Sequence, residues 1–256
     1  MTISIKSFIL SPWLQLAAIA GSSCVLAADL TGPPTPSSAV VSVIELFTSQ
    51  GCSSCPPADK LLAQIARRPD IVAVSFAVDY WDYIGWKDTL ALPLSSSRQR
   101  AYAALQGGNG VRVYTPQAVI DGIADAIGGD RQEVEEAIKS TKGVDGAATL
   151  PLRLQDADDH FVVDVAAGGG GPAGIYVLRV LRARTVHIGH GENAGRNVTY
   201  TNVVRAINRI GEWTGSRVTL NVPKLIAEDE GYVVFVQRGD LDQPGAILGA
   251  VKSAGL

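Results

Sequence analysis

From Val40 to Lys142 the apolar and polar positions switch between two rhythms. Val40–Phe47 is a largely apolar run rich in β-branched residues, which predicts a buried strand. Ala58–Arg68 sets Leu61, Leu62 and Ile65 on one helical face, with Asp59, Lys60, Gln64 and Arg67 elsewhere, and Pro69 stops it. Ile71–Val78 reads as a second strand. A third runs through Val119–Asp121, and Asp121-Gly122 signals a turn. Ser95–Leu105 reads as helical, with Arg98 and Arg100 on a solvated face. Arg131–Lys139 is a short amphipathic helix with Val134, Ala137 and Ile138 inward. This order predicts an α/β layer architecture.

Gly143–Gly146 marks a change of rhythm. Short strand-like runs come after it, separated by turn residues: Ala148–Leu154, Phe161–Ala166, Gly174–Arg184, Arg217–Val222, Tyr232–Gln237 and Ala246–Val251. Gly168–Gly171 is a loop tip. Tyr200–Ile210 fits a helical period at Tyr200, Val203, Val204 and Ile207, but its composition favours strand. The C-terminal half is therefore expected to be an all-β, sandwich-like domain.

The first residues have a different logic. Lys6 supplies a positive start, Phe8–Ala20 is mostly apolar, and Val25-Leu26-Ala27 fits the small-residue pattern of a signal-peptidase site. Pro12 and Gly21 interrupt the segment, which is short for a membrane span of about 20 residues. The expected organisation is a signal peptide over 1–28, a Pro/Ser-rich linker over 29–39, an α/β domain over 40–145 and a β-rich domain over 146–256. The protein is expected in the periplasm or outside the cell, with no stable membrane insertion once the leader is removed. Cys24 falls within that leader, so the mature chain keeps Cys52 and Cys55.

Charge narrows the class of partner. With 22 basic and 25 acidic residues the formal net charge is −3, and no long basic run exists. A nucleic-acid partner, whose affinity would come mainly from phosphate neutralisation, is not expected. Three cysteines exclude a disulfide-dense scaffold.

The sharpest chemical signal is Cys52-Ser53-Ser54-Cys55, between a predicted strand and a helix opened by Pro56 and Pro57. At a helix start a thiolate meets the positive end of the dipole and free backbone N–H groups, and its pKa falls. Cys52 is expected at an exposed junction as the attacking nucleophile. Cys55, one turn on and more buried, is expected as the resolving thiol in disulfide exchange. Val113-Tyr114-Thr115-Pro116 then leads into the third strand.

Strand, CxxC at a helix start, second strand and Thr-Pro before a third strand resemble the thioredoxin fold. That resemblance implies that Pro116 is a cis-proline facing the cysteines and that the Thr115 backbone contacts an extended substrate. A closer resemblance rests on ELFTSQGCSSCPPADKLL, VDYWDYIGWKDTLALP, SSRQRAY, VYTPQAVIDG and GENAGRNVTYTNVVRAI. Together they are similar to a family of exported bacterial proteins catalogued as a domain of unknown function. The family resemblance covers about residues 40–253 and implies a thioredoxin-like N-terminal domain and then a β-rich part.

The segment 79–110 is an insertion relative to a minimal thioredoxin. It carries Tyr80, Trp81, Tyr83 and Trp86, a dense patch in a chain with 6% aromatic residues. Tyr80 and Trp81 are candidate substrate contacts, and packing of the insertion is the alternative. Glu45 is either a buried acid beneath the cysteines or a strand residue facing solvent. His187 and His190 invite a metal reading, but three-residue spacing on a strand puts them on opposite faces, and nothing in the sequence places them near Cys52. They are read as part of a structural or partner-binding loop, and His160 as a surface turn residue. No cofactor and no metal are expected. The readings in competition are an exported thiol–disulfide oxidoreductase, a copper or zinc chaperone using the two thiolates, and a partner-binding module with a structural disulfide. The partners expected of the first are exported proteins or thiols bearing disulfides, with an unidentified electron donor or acceptor.

Overall fold

The computed structural model describes residues 40–105, 113–225 and 227–256. The expected signal peptide and the whole of the linker lie outside the described residues. Among the described residues, eleven strands and three α-helices make up the regular structure, apart from two short 3-10 turns. Strand β1 (Ser42–Thr48) leads into helix α1 (Pro56–Ile65), which returns to β2 (Ile71–Ala77), parallel to β1. Helix α2 (Pro93–Leu105) precedes the hairpin β3 (Gln117–Ile120) and β4 (Ala124–Ile127), and α3 (Arg131–Thr141) comes next. Then come β5 (Leu152–Asp156), β6 (His160–Val165), β7 (Ala173–His187), β8 (Asn197–Trp213), β9 (Val218–Pro223), β10 (Glu230–Gly239) and β11 (Pro244–Lys252).

Eight strands form one mixed sheet in the order β11-β10-β7-β8-β2-β1-β3-β4, and β5-β6-β9 form a second. The β1–β2 pair is in register from Ser42 opposite Ile71 to Thr48 opposite Ala77. Alternation along β1 divides its contacts between two cores. Ile44 and Leu46 join Leu61, Leu62 and Ile65 of α1 and Val134 and Ile138 of α3. Val43 and Phe47 face the other way, joining Phe76, Tyr102 of α2, and Phe235 and Ile247 of β10 and β11. The second sheet covers a third core, in which Phe161 and Val163 meet Ile175, Val177 and Trp213. Strands from both halves of the chain thus share one sheet and one core.

The junction of the halves is narrow. Strands β2 and β8 run parallel through a single register pair, Ser75 opposite Val203. Side chains extend the link: Ser75 Oγ donates to the Thr201 carbonyl at 2.7 Å, and Asn202 Nδ2 donates to the Ala73 carbonyl at 2.8 Å. Asn202 has a left-handed backbone with φ 52°, a conformation Asn tolerates better than most residues. The hairpin β3–β4 turns through Asp121, Gly122 and Ile123: Asp121 and Gly122 are left-handed, with φ 52° and 74°, and the Ile123 N–H donates to the Ile120 carbonyl at 3.1 Å. A Cβ on Gly122 would lie 2.4 Å from the Gly245 carbonyl oxygen, so that position admits no side chain.

Several sequence expectations need correction here. Arg98 does not lie on a solvated face: it is 3% exposed and reaches across the core to Glu45, itself fully buried. Its Nη2 lies 2.7 Å from Glu45 Oε1, and its guanidinium sits among the rings of Phe76, Tyr102 and Phe235. Glu45 therefore neither faces solvent nor hydrogen-bonds the cysteines; it neutralises a buried arginine. Asp59, expected on the polar side of its helix, is also buried. Tyr200–Ile210 is strand, as its composition suggested, within the 17-residue β8.

Candidate functional site

Cys52 and Cys55 form a disulfide with Cα atoms 5.4 Å apart. The turn that delivers them is built from its own polar groups. The Cys52 N–H donates to the Ser49 carbonyl at 3.2 Å, and the Gly51 N–H donates to Ser49 Oγ at 3.1 Å. Gly51 is required by close approach, since a Cβ there would meet the Trp81 Cβ at 2.9 Å. Cys55 is the residue before the helix, and Pro56 and Pro57 fill its first two positions. Neither proline has an N–H, and the N–H groups of Ala58 and Asp59 both donate to the Cys55 carbonyl. Few free donors therefore remain at the start of α1. Those near Cys52 come from the dipeptide itself, including Ser54 Oγ, 3.4 Å from Cys52 Sγ.

The expectation that Cys52 is exposed is not met. Cys52 is 1% exposed and Cys55 is fully buried. The loop between β7 and β8 covers the disulfide loop. Asn193, fully buried, donates through Nδ2 to the Gln50 carbonyl at 2.9 Å and the Cys52 carbonyl at 2.8 Å. Its neighbour Glu192 accepts the Ser53 N–H through Oε2 at 3.2 Å. The loop that carries His190 therefore does reach the cysteine segment, although through Glu192 and Asn193. His187 Nδ1 instead lies 3.0 Å from Asn197 Oδ1, and the His190 ring centroid is 6.4 Å from Trp86. Among the described residues no cluster of three or more His, Cys, Asp or Glu side chains is placed to hold a metal.

The aromatic segment joins the same site. Trp81 Nε1 donates to Thr115 Oγ1 at 2.8 Å, and Ser54 Oγ donates to the Thr115 carbonyl at 3.4 Å. The Thr115-Pro116 peptide bond is cis. Tyr80 donates to Gln99, whose amide holds the Tyr114 carbonyl and Gln117. Trp81 stacks on Tyr83, which is 81% exposed. Trp86 donates to Gln50 Oε1 at 2.8 Å, while the Gln50 N–H donates to Asp88 Oδ2 at 2.8 Å. Ser54 thus joins the buried disulfide loop to Thr115, and Thr115 in turn holds Trp81.

Asp59 gives no sign of its role in the sequence pattern, where it reads as a polar-face residue. It lies four residues after Cys55 and so on the same helical face. Asp59 Oδ1 accepts from Thr48 Oγ1 at 2.8 Å, while Oδ2 is buried without a partner. Burial pushes its pKa up to about 8, against the hydrogen bond from Thr48, and Asp88 adds to the rise. Burial also raises Asp88, despite three backbone N–H donors. The one available signal for Asp59 is its place one turn beyond a cysteine pair. Asn193 and Glu192 have no signal beyond their family-like motif, because their function depends on a contact about 140 positions away in sequence.

Comparison with known proteins adds a family and a structural relative. The profile of a family described as a protein of unknown function, DUF1223, matches residues 43–237. A crystal structure of a protein from Agrobacterium tumefaciens is 34% identical, with a TM-score of 0.75. The match covers 86% of this chain and 96% of that one. A search of curated proteins found no match.

Proposed function

We propose that this chain, which belongs to the DUF1223 family of proteins of unknown function, is an exported thiol–disulfide oxidoreductase with a thioredoxin-like arrangement of its N-terminal half. The observation that carries the reading is a formed Cys52–Cys55 disulfide at a helix start, beside the Thr115 backbone and the Trp81 ring. A substrate thiolate attacks Cys52 Sγ, and Cys55 leaves as a thiolate. Asp59, protonated at neutral pH, lies on the face of α1 from which that thiolate can be neutralised. A second substrate thiolate then resolves the mixed disulfide, releasing Cys52 and the oxidised substrate. The reverse sequence reduces a substrate disulfide. Trp81 and Tyr83 offer an aromatic surface for an extended protein segment next to Thr115.

Burial of Cys52 supports a second reading, in which the disulfide is structural. Reduction potential separates the two. The signal-free protein is equilibrated in glutathione and dithiothreitol buffers, with metal content assayed on the same sample. A value of about −120 to −270 mV is expected for a catalytic couple, whereas one below about −300 mV marks a structural disulfide. Stoichiometric copper or zinc on the reduced protein would replace both with a metal-carrying function. Export, to the periplasm or beyond, is tested by sequencing the mature N-terminus, expected at Ala28 or Asp29.

A further inference from the structure

We infer that Glu192 is a positioning residue for the Cys52–Cys55 couple, holding a negative charge where the Cys52 thiolate forms and so biasing the couple toward the disulfide. The inference rests on the thiol–disulfide reading above. Its basis is the shortage of donors at this helix start. Pro56 and Pro57 lack N–H groups, and those of Ala58 and Asp59 are committed to the Cys55 carbonyl. The Ser53 N–H is one of the few that could face a Cys52 thiolate, and Glu192 Oε2 accepts it at 3.2 Å. Among the described residues Glu192 forms no salt bridge, so no paired cation offsets its charge.

Asn193 makes this placement specific. Its two hydrogen bonds to the Gln50 and Cys52 carbonyls pin the loop on the segment before the disulfide, leaving its neighbour Glu192 at Ser53. The other titratable groups around the segment include Asp59 on α1, Asp88 bound to Gln50 with Asp82 beside it, Tyr200 of β8 near both Asp59 and Asp88, and His190 beside Trp86. Asp59 and Asp88 are acids that burial holds toward their neutral forms, which leaves the exposed Glu192 as the acid placed against Ser53.

In the redox step a substrate dithiol gives up two electrons and two protons and becomes a disulfide. The Cys52–Cys55 bond takes up the two electrons and breaks, leaving two cysteine sulfurs that bind the two protons or remain thiolate according to pH. A carboxylate beside Cys52 raises the energy of the thiolate form and leaves the neutral disulfide nearly untouched. Where the thiolate is populated the reduced protein is therefore less favoured, and Cys52 is a poorer leaving group when the mixed disulfide resolves.

The test compares the wild type with Glu192→Gln, which keeps an acceptor for Ser53 and loses the charge, and with Glu192→Asp, which keeps the charge. Two quantities are read on the full mature protein: the Cys52 pKa, from the pH dependence of alkylation, and the equilibrium with glutathione. Glu192→Gln is expected to lower the pKa by about half a unit to one unit. At an assay pH above the Cys52 pKa it should shift the equilibrium toward the reduced form by about threefold to tenfold, the upper value corresponding to about 30 mV, with a smaller shift at lower pH where both proteins hold the neutral thiol. Both differences should shrink in molar salt, as an exposed charge requires and a packing change does not. Glu192→Asp should stay near wild type. An unchanged pKa and equilibrium for Glu192→Gln at low salt would overturn the inference. A wild-type potential below about −300 mV would instead sink the oxidoreductase reading, while the pKa comparison on reduced protein would still decide the effect of Glu192.

Discussion

Asp59 keeps its proton through neutral pH because burial outweighs the hydrogen bond from Thr48. Its pKa rises from 3.8 to about 8 on folding, so the folded chain binds the extra proton between those values. The stability contributed by this group is full below pH 3.8 and is lost as pH rises toward about 8. Asp59→Asn removes that slope. Urea unfolding should show the variant gaining on the wild type by up to about 5 kcal/mol between pH 4 and pH 8. A difference that stays flat across this range would mean that Asp59 titrates like an exposed acid. Asp88 slopes in the same direction but is present in both proteins. Arg98 is governed by the opposite balance, since it stays charged and is met by Glu45, the Tyr102 hydroxyl and the Gln237 carbonyl oxygen at 2.7 to 3.0 Å. Arg98→Met leaves the Glu45 carboxylate buried and unpaired, at an expected cost of about 3–5 kcal/mol. Adding Glu45→Gln should restore most of that loss. Additive losses in a denaturant double-mutant cycle would show the two groups to be independent.

Among the elements, α1 and its strand were legible in the sequence because their signals are local. Leu61, Leu62 and Ile65 recur at helical spacing, and prolines bracket the helix at both ends. The β-branched composition of β8 correctly outweighed a helical period that its side chains share by coincidence. Helix α2 was legible as a helix but not in its orientation. Charge is a poor guide when the partner lies on another element, and Glu45 is 53 residues from Arg98. The cysteine pair and its setting between strand and helix could be read from residue order. The cover over it could not, because Asn193 reaches the Cys52 carbonyl only once β7 and β8 are folded as a long hairpin. A left-handed Asn202 donating to Ala73 is likewise a property of the assembled seam and leaves no periodic trace.

In the whole molecule the two rhythms of the sequence do not become two independent layers of structure. Phe235 and Ile247 complete the core that begins with Val43 and Phe47, and Gln237 completes the polar cluster around Arg98. The narrow seam between β2 and β8 therefore has a meaning for how the chain tolerates division. All seven residues of β2 are buried, and the edge it turns away from β1 adjoins β8, a strand of the C-terminal half, at the Ser75–Val203 pair. A chain ending at residue 145 would present Ile71–Ala77 as an open, apolar strand edge, the kind of template on which identical copies stack. Expressed alone, residues 40–145 should pellet or elute as large aggregates in size-exclusion chromatography, whereas residues 40–256 should remain dispersed. A dispersed, folded fragment would mean that the edge guards itself. On the expected outcome the C-terminal strands would act as a chaperone built into the same polypeptide, set beside a strand edge that the first half alone would leave open.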